Sequence, residues 1–219
     1  MKKRYSEQLS ECIALACAEE LRNRGLKGAR PAGPGELGGS GAERRMAGGI
    51  GAKKVDVTWA TEESGLLLGI SIKAISFKDA KTKNFQKNLT NRRGDMLMEA
   101  VTLHRRFPYA VLAGFIFFDK GAGADATAKR RSTIVNAHSR LRLYTGRNDP
   151  AGRDEQFEAM YLFLIEGSAF SAEFVTYGVG EPGREVALED VFDALVQQLA
   201  DRNPDFYECV NGKLIPANG

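Results

Sequence analysis

Hydrophobic residues near the start of the chain recur at the spacing of an α-helix. The pattern predicts an amphipathic helix from Tyr5 to about Arg24, whose apolar face is formed by Tyr5, Leu9, Cys12, Ile13 and Ala16. The next stretch, Gly25 to Ala52, contains ten glycines and two prolines. This composition predicts an extended or mobile loop, because these residues interrupt both helices and strands.

Farther along, apolar runs alternate with stretches of helical periodicity. Lys53 to Ala60 and Leu66 to Phe77 predict two strands of a hairpin that turns within Thr61 to Gly65. The other predicted elements are a basic helix (Lys83 to Arg106, which could break at Gly94), a buried strand (Tyr109 to Phe118), a helix (Arg130 to Tyr144), two strands (Glu158 to Glu166 and Ala172 to Gly178) and a last helix (Leu188 to Arg202). This order predicts an α/β protein with a mixed central β-sheet flanked by helices.

The length and composition favour a single domain that spans residues 1–219. No apolar run is long enough to cross a bilayer, and the opening Met-Lys-Lys-Arg is not followed by the apolar segment of a secretory signal. The three cysteines lack the spacing of metal ligands and predict free thiols in a reducing cytosol. We therefore expect a cytoplasmic protein without a membrane partner.

The net charge of +3 conceals an uneven distribution. Lys73 to Arg106 carries nine basic residues against three acids, and Ala126 to Asn148 carries six basic residues and no acid. Asp149 to Gly219 reverses the balance, with four basic residues against fourteen acids. A basic middle and an acidic last third indicate one face suited to a polyanion such as nucleic acid, although such charges can also simply solvate helices.

The predicted hairpin brings three chemically active side chains together. If it turns at Glu63 and Ser64, Asp56 lies across from Ser71, with Lys73 one step along the same face. The strand that contains Lys73 is otherwise apolar, and an unpaired lysine would be costly there. Two interpretations stay open, namely a cross-strand ion pair on a solvated face and a catalytic site.

These residues resemble the motif of the PD-(D/E)XK nucleases, the restriction-endonuclease-like superfamily. Asp56 lies in KKVDVTW, and Ser71-Ile72-Lys73 lies in GISIK, followed by a predicted helix and a buried strand. The resemblance covers Tyr5 to Phe118. It implies a restriction-endonuclease-like core with the active site within residues 1–125, and an extension of the same domain over residues 126–219.

The resemblance also implies a chemistry, that of an Mg²⁺-dependent endonuclease that hydrolyses phosphodiester bonds in double-stranded DNA. Asp56 would bind the metal, Ile72 would contribute its backbone carbonyl, and Lys73 would position the attacking water. Mg²⁺ prefers hard oxygen ligands, lowers the pKa of its water and neutralises phosphoryl charge. A homodimer is implied because two strands need two sites, and restriction or host defence is the implied setting.

Two positions depart from the motif. Val55 replaces the proline of the motif name, which is a common deviation, but Ser71 stands where the second acid belongs. Some restriction enzymes with serine there take the missing acid from the following helix. In this chain the first part of that helix, Lys81 to Leu89, contains no acid, and Asp95 and Glu99 lie farther on as weaker candidates.

Glu20 is the preferred replacement for the missing acid, as a catalytic and metal-binding carboxylate. It falls within the predicted apolar face of the first helix, whereas Glu7 and Glu11 point the opposite way. A carboxylate directed at the core requires a partner or a metal. The alternative is that Glu20 pairs with an arginine or reaches water at the helix end. Glu43, in the glycine-rich loop, is a further candidate.

The basic helix supplies the predicted nucleic-acid contacts. Its side chains suit phosphates and base edges, and the expected contacts are Lys83, Lys87, Asn88, Asn91, Arg92 and Arg93. A second hypothesis is a nucleic-acid-binding module that keeps the fold but has lost catalysis, and Ser71 favours it. A third is that the hairpin match is accidental and the protein is an enzyme of another kind.

Overall fold

A computed structural model describes residues 2–33, 44–47, 49–167 and 172–217 of the chain. The helices are α1 (Lys2–Asn23), α2 (Gln86–His104), α3 (Thr133–Leu141) and α4 (Leu188–Arg202), with short 3₁₀ turns at Lys120–Ala122 and Arg142–Tyr144. The strands are β1 (Arg44–Ala47), β2 (Ala52–Val55), β3 (Val57–Thr61), β4 (Gly65–Ile75), β5 (Val111–Asp119), β6 (Ala159–Gly167), β7 (Ala172–Gly178), β8 (Tyr207–Val210) and β9 (Lys213–Pro216).

Five strands form the central sheet, in the order β3-β4-β5-β6-β7. The three inner strands are parallel, and each outer strand is antiparallel to its neighbour. The run VLAGFIFF of β5 is buried throughout, as expected for an inner strand covered on both faces. The predicted α/β class with a mixed central sheet flanked by helices is therefore confirmed.

Helices cover both faces of the sheet. On one face, Leu21 of α1 and Leu195 of α4 join a buried cluster with Phe115 of β5. On the other face, Leu103 of α2 and Ala137 of α3 belong to a second cluster with residues of β4, β5 and β6. Residues 126–219 supply β6, β7, α3 and α4, so they complete the same sheet and help to cover both of its faces.

The strand predicted from Lys53 to Ala60 is interrupted at Asp56. The segment before Asp56 is β2, which pairs with β1 in a separate two-stranded sheet, and the segment after it is β3. The cause is a side-chain contact, because Asp56 Oδ2 accepts a hydrogen bond of 2.6 Å from the Ile72 amide. A short polar side chain that takes a backbone donor competes with the strand ladder in this way.

A β-bulge sets the register of the β3–β4 hairpin. Thr61 pairs with Gly65 and Ala60 with Leu66, but Trp59 pairs with Leu68, so Leu67 is the extra residue on β4. The shifted register pairs Val57 with Ile70, and one further step places Asp56 opposite Ser71. The predicted register is therefore correct at the functional end, although the turn is a residue longer than expected.

Other boundaries differ from the sequence prediction. Helix α2 begins at Gln86 rather than Lys83 and continues unbroken through Gly94. The β8–β9 hairpin was not predicted, because its two strands are only four residues each and follow Pro204 closely. Among the described residues, no helix is both long enough and apolar enough to span a bilayer.

Candidate active site

A cleft follows the exposed edge of β4. It forms because β3 begins only at Val57, opposite Ile70, so that no strand among the described residues pairs with the second half of β4 on that side. One wall is the first half of α1 and the other is the start of α2. The cleft has a volume of about 540 Å³, and Asp56, Ile72 and Lys73 lie in it.

Lys73 lies between two carboxylates. Its Nζ atom is 3.6 Å from Oδ2 of Asp56 and 3.5 Å from Oε2 of Glu99. The side chains of Lys73, Asp56 and Glu99 are 15%, 19% and 8% exposed, so the three charges meet where little water screens them. The Asp56–Lys73 ion pair, one of the two interpretations that the sequence left open, is present, and a second acid accompanies it.

The second acid is Glu99, which the sequence offered only as a weaker candidate than Glu20. It lies within the buried stripe of α2, among Met96, Ala100 and Leu103, so its carboxylate is directed into the protein toward β4. There its Oε2 accepts a hydrogen bond of 3.1 Å from Ser71 Oγ. The signal was available in the sequence as an acid at a core position of an amphipathic helix.

Burial and charge shift the ionisation of these groups in a coupled way. Burial lowers the pKa of Lys73, but the carboxylates of Glu99 and Asp56 outweigh this effect and raise it above its ordinary value. For Glu99, burial raises the pKa; Lys73 opposes this effect and the nearby Asp56 adds to it, so the pKa stays above that of an ordinary glutamate. Lys73 thus favours the ionised form of the Glu99 carboxylate, whereas burial favours its protonated form.

Glu20 does not join this cluster. Its Oε1 accepts a bond of 2.6 Å from Arg24 Nε, and Arg24 also pairs with Asp193 of α4. The alternative of an arginine partner is the one observed. The expectation that Glu20 lies beside Asp56 and Lys73 is therefore wrong, and Glu99 is the second carboxylate beside Lys73.

The reason is the orientation of α1. Its buried residues are Ala14, Cys17, Ala18 and Leu21, which lie on roughly the opposite side of the helix from the predicted apolar face. Glu7 and Glu11 consequently line the cleft, contrary to the prediction, and Cys12 is exposed. The small side chains on the buried face let α1 approach the sheet closely. The sequence prediction relied on larger apolar residues and therefore assigned the wrong face of α1 to the core.

The described residues include only one of the two remaining acid candidates, and it lies away from Lys73. Asp95 is 59% exposed and pairs with Arg92 at 3.5 Å on the surface of α2. Glu43 lies outside the described residues.

Two of the six predicted nucleic-acid residues line the cleft, and the other four are not part of its lining. Asn88 and Arg92, one turn apart on α2, line its wall. Lys87 Nζ is 3.0 Å from Asp79, and the guanidinium of Arg93 lies over the ring of Tyr144. The last two, Lys83 and Asn91, are exposed.

The donor atoms in the cleft fit a hard divalent cation. The described residues contain no group of three histidine, cysteine, aspartate or glutamate side chains that could hold a metal ion. Asp56 and Glu99 nevertheless bring two carboxylates to one lysine, and the Ile72 amide points to Asp56. In a strand, the N–H and C=O of one residue point to the same side, so the Ile72 carbonyl oxygen lies on the edge of β4 that Asp56 occupies. Mg²⁺ commonly takes one or two carboxylates and retains water, so Asp56, Glu99 and the Ile72 carbonyl are the groups that could hold it.

No protein-family model, curated protein or solved structure matches the chain, so the interpretation of the cleft rests on its own residues.

Proposed function

We propose that this protein is an Mg²⁺-dependent endonuclease that hydrolyses phosphodiester bonds in DNA and is built on a restriction-endonuclease-like core. The observation that carries the proposal is the convergence of Asp56, Glu99 and Lys73 at the edge of β4. Two oxygen donors for a metal and one ammonium group for a water or phosphate are the parts that metal-assisted phosphodiester hydrolysis requires.

Asp56 and Glu99, with the carbonyl of Ile72, would hold Mg²⁺. When bound, Mg²⁺ makes its water more acidic and neutralises charge on the phosphate. Ser71 fixes the carboxylate of Glu99 by its hydrogen bond. Lys73 opposes the rise in the pKa of Glu99 that burial causes, and it orients the attacking water beside the two carboxylates.

Duplex DNA is the proposed substrate, since the wall of the cleft formed by the start of α2 carries basic and amide side chains, whereas Glu7 and Glu11 lie on the opposite wall. The proposal includes a homodimer, with one site for each strand, in a restriction or defence setting. The rival hypothesis, an inactive binding module, drew its support from Ser71 in place of an acid. Glu99 weakens that argument, because it supplies a second carboxylate at the same point.

The test is cleavage of plasmid DNA in the presence of Mg²⁺ or Mn²⁺. Wild type should nick or cut, and Asp56→Ala, Lys73→Ala and Glu99→Gln should each lose activity by about 100-fold or more. Glu20→Gln is the matched control, because it neutralises a glutamate that pairs with Arg24 outside the cleft. It should cut like wild type.

Three results would contradict the proposal in different ways. A pure wild type that binds DNA but cuts none with either metal would point to the inactive module. A Glu99→Gln protein that cuts normally would remove Glu99 from the site. Loss of cleavage in Glu20→Gln with an unchanged fold would restore the prediction made from the sequence.

A further inference from the structure

The loop that joins β4 to α2, residues 76–85, is folded around the carboxylate of Asp79. Oδ1 of Asp79 accepts hydrogen bonds from the Lys81 amide (3.1 Å), the Thr82 amide (2.9 Å) and the Thr82 hydroxyl (3.1 Å). Oδ2 contacts Lys87 Nζ at 3.0 Å. These donors, the Thr82 amide above all, hold the pKa of Asp79 below its ordinary value, so the carboxylate stays charged.

The backbone closes the same loop. The Asp79 amide donates to the Asn84 carbonyl at 2.8 Å, and the Lys83 amide donates to the Asp79 carbonyl at 3.0 Å. Lys83 adopts a φ of 53°, a left-handed conformation that is unfavourable for a residue with a side chain. Surrounding bonds maintain this conformation, and the loop therefore has a fixed shape.

The loop presents lysines that have no acidic partner in the described parts of the chain. Lys78, Lys81 and Lys83 are exposed, and no ion pair joins any of them to a described carboxylate. Asp79 does not offset their charge fully, because Lys87 already pairs with it. The result is a compact cationic surface.

This surface adjoins the candidate active site. Ser76 and Phe77, at the start of the loop, line the cleft together with Asn88 and Arg92 of α2. The phenyl ring of Phe85 is buried, and Phe77 packs edge-on against Tyr5, so the loop does not offer the exposed apolar side chains that insert into a membrane surface. Charge, rigidity and proximity to the cleft together favour a nucleic-acid backbone.

We propose that the 76–85 loop is a preformed binding surface for the phosphate backbone of duplex DNA, organised by Asp79. This inference rests on the proposed function for its choice of DNA as the polyanion. Lys81 and Lys83 contact phosphates, and Lys87 organises the loop with Asp79 rather than contacting DNA. Because a fixed loop loses little entropy on binding, its order contributes to affinity.

The proposal predicts an effect opposite to that of simple electrostatics. Asp79→Ala removes a negative charge near DNA, which by charge alone would tighten binding. We expect it to weaken binding by about tenfold, because the loop loses its shape. Asp95→Ala is the matched control. It removes an exposed acid that pairs with Arg92 on α2, so it should bind as tightly as wild type or more tightly.

Binding is measured with a short labelled DNA duplex in the presence of a chelator, so that no cleavage occurs. A salt series then counts phosphate contacts. Lys81→Ala and Lys83→Ala should each reduce the slope of log affinity against log salt by about 0.9. Lys213→Ala, in the exposed β8–β9 hairpin, should leave the slope unchanged.

The outcomes separate this inference from the proposed function. If no DNA is cleaved with any metal but Asp79→Ala weakens binding and Asp95→Ala does not, the endonuclease fails and the loop stands. Metal-dependent cleavage together with wild-type affinity in Asp79→Ala would overturn the loop alone. Absence of binding in wild type, or stronger binding of anionic lipid vesicles than of DNA, would also overturn it.

Discussion

Ser71 and Glu99 are joined by a hydrogen bond of 3.1 Å, although 28 residues separate them and they lie on a strand and a helix. Ser71 stands two residues before Lys73, where the nuclease motif that it resembles has an acid. The small serine leaves room for a carboxylate that arrives from α2, and its hydroxyl holds that carboxylate in place. Under the proposed function, this position on β4 thus anchors the second acid instead of supplying it.

Removal of the Ser71 hydroxyl should impair the ionisation and position of Glu99. The hydroxyl lowers the pKa of Glu99, so in Ser71→Ala this pKa should rise further above its ordinary value. A hydrogen bond to a charged group contributes about 1.5–3 kcal/mol, which corresponds to a loss of cleavage of about tenfold or more. The acid limb of the pH–rate profile should move to higher pH, which a purely structural defect would not cause.

Thr58→Val is the control for this experiment. Thr58 is buried on β3, and its Oγ1 atom has no hydrogen-bond partner in the described structure. The variant removes a hydroxyl of similar burial without removing a bond, so the pH profile should not move. Equal profiles for Ser71→Ala and wild type would show that the serine does not anchor Glu99.

The raised pKa of Glu99 also makes a prediction about stability that does not depend on activity. The folded protein holds this proton more tightly than the unfolded chain, so the contribution of Glu99 is most favourable below its ordinary pKa of 4.5. It is lost as the pH rises through the raised value. We expect the free energy of unfolding of wild type, relative to Glu99→Gln, to fall over this window and then to level off.

Denaturant titrations of both proteins at a series of pH values measure this difference. This pH window is separate from the one in which Lys73 titrates. The pKa of Lys73 is raised above 10.5, so the contribution of Lys73 to stability is lost only in strongly alkaline solution. A difference that increases as the pH rises from 4.5 would contradict the direction assigned to Glu99.

The elements of the sheet could be predicted from the sequence because their patterns are strong. Helix α4 and strand β7 begin and end where the pattern places them, and the buried run in β5 identified an inner strand. The bulge at Leu67 could not be predicted, since it depends on how two strands fit together rather than on either alone. The bulge offsets the extra residue of the turn, so the register returns to the predicted one and Asp56 lies opposite Ser71.

The cluster around Lys73 was predicted only in part, because one of its members also depends on how separate elements fit together. Asp56 and Lys73 are neighbours through a local hairpin, whereas the acid that joins them comes from a distant helix. The choice of Glu20 over Glu99 depended on which face of α1 is buried. That face consists largely of small residues, so its packing depends on tertiary contact more than on hydrophobic pattern.

The turn after α1 gives a prediction about backbone geometry. Gly25 has a φ of 95°, and a Cβ atom there would collide with the carbonyl oxygen of Leu214 in β9. Gly28 has a φ of 82° but open space around it. Gly28→Ala should therefore cost about 1 kcal/mol for the left-handed backbone alone, and Gly25→Ala should cost clearly more. Denaturant unfolding of both variants tests this, and equal losses would argue against close packing of β9 on the turn.

A buried cluster of charged side chains connects the C-terminal end of α2 to strands β5 and β6. Glu158 is fully buried, and its carboxylate accepts hydrogen bonds from Arg147 (3.0 Å), Arg202 (2.7 Å) and the Leu112 amide (2.6 Å). Nε2 of His104 lies 3.2 Å away. Burial raises the pKa of Glu158, but His104 and the other partners outweigh this effect and lower it. The carboxylate is thus ionised and fully engaged.

Neutralising Glu158 should destabilise the protein strongly, because two buried guanidinium groups would lose their counter-ion. We expect Glu158→Gln to lower the free energy of unfolding by about 3–5 kcal/mol. Glu166→Gln, which breaks the exposed pair with Lys120, should cost less than about 1 kcal/mol. Chemical denaturation of the two variants measures the contrast. Losses of similar size would mean that water reaches the buried cluster and screens its charges. In that case apolar packing, rather than these charges, would fix α2 and its Glu99 to the sheet.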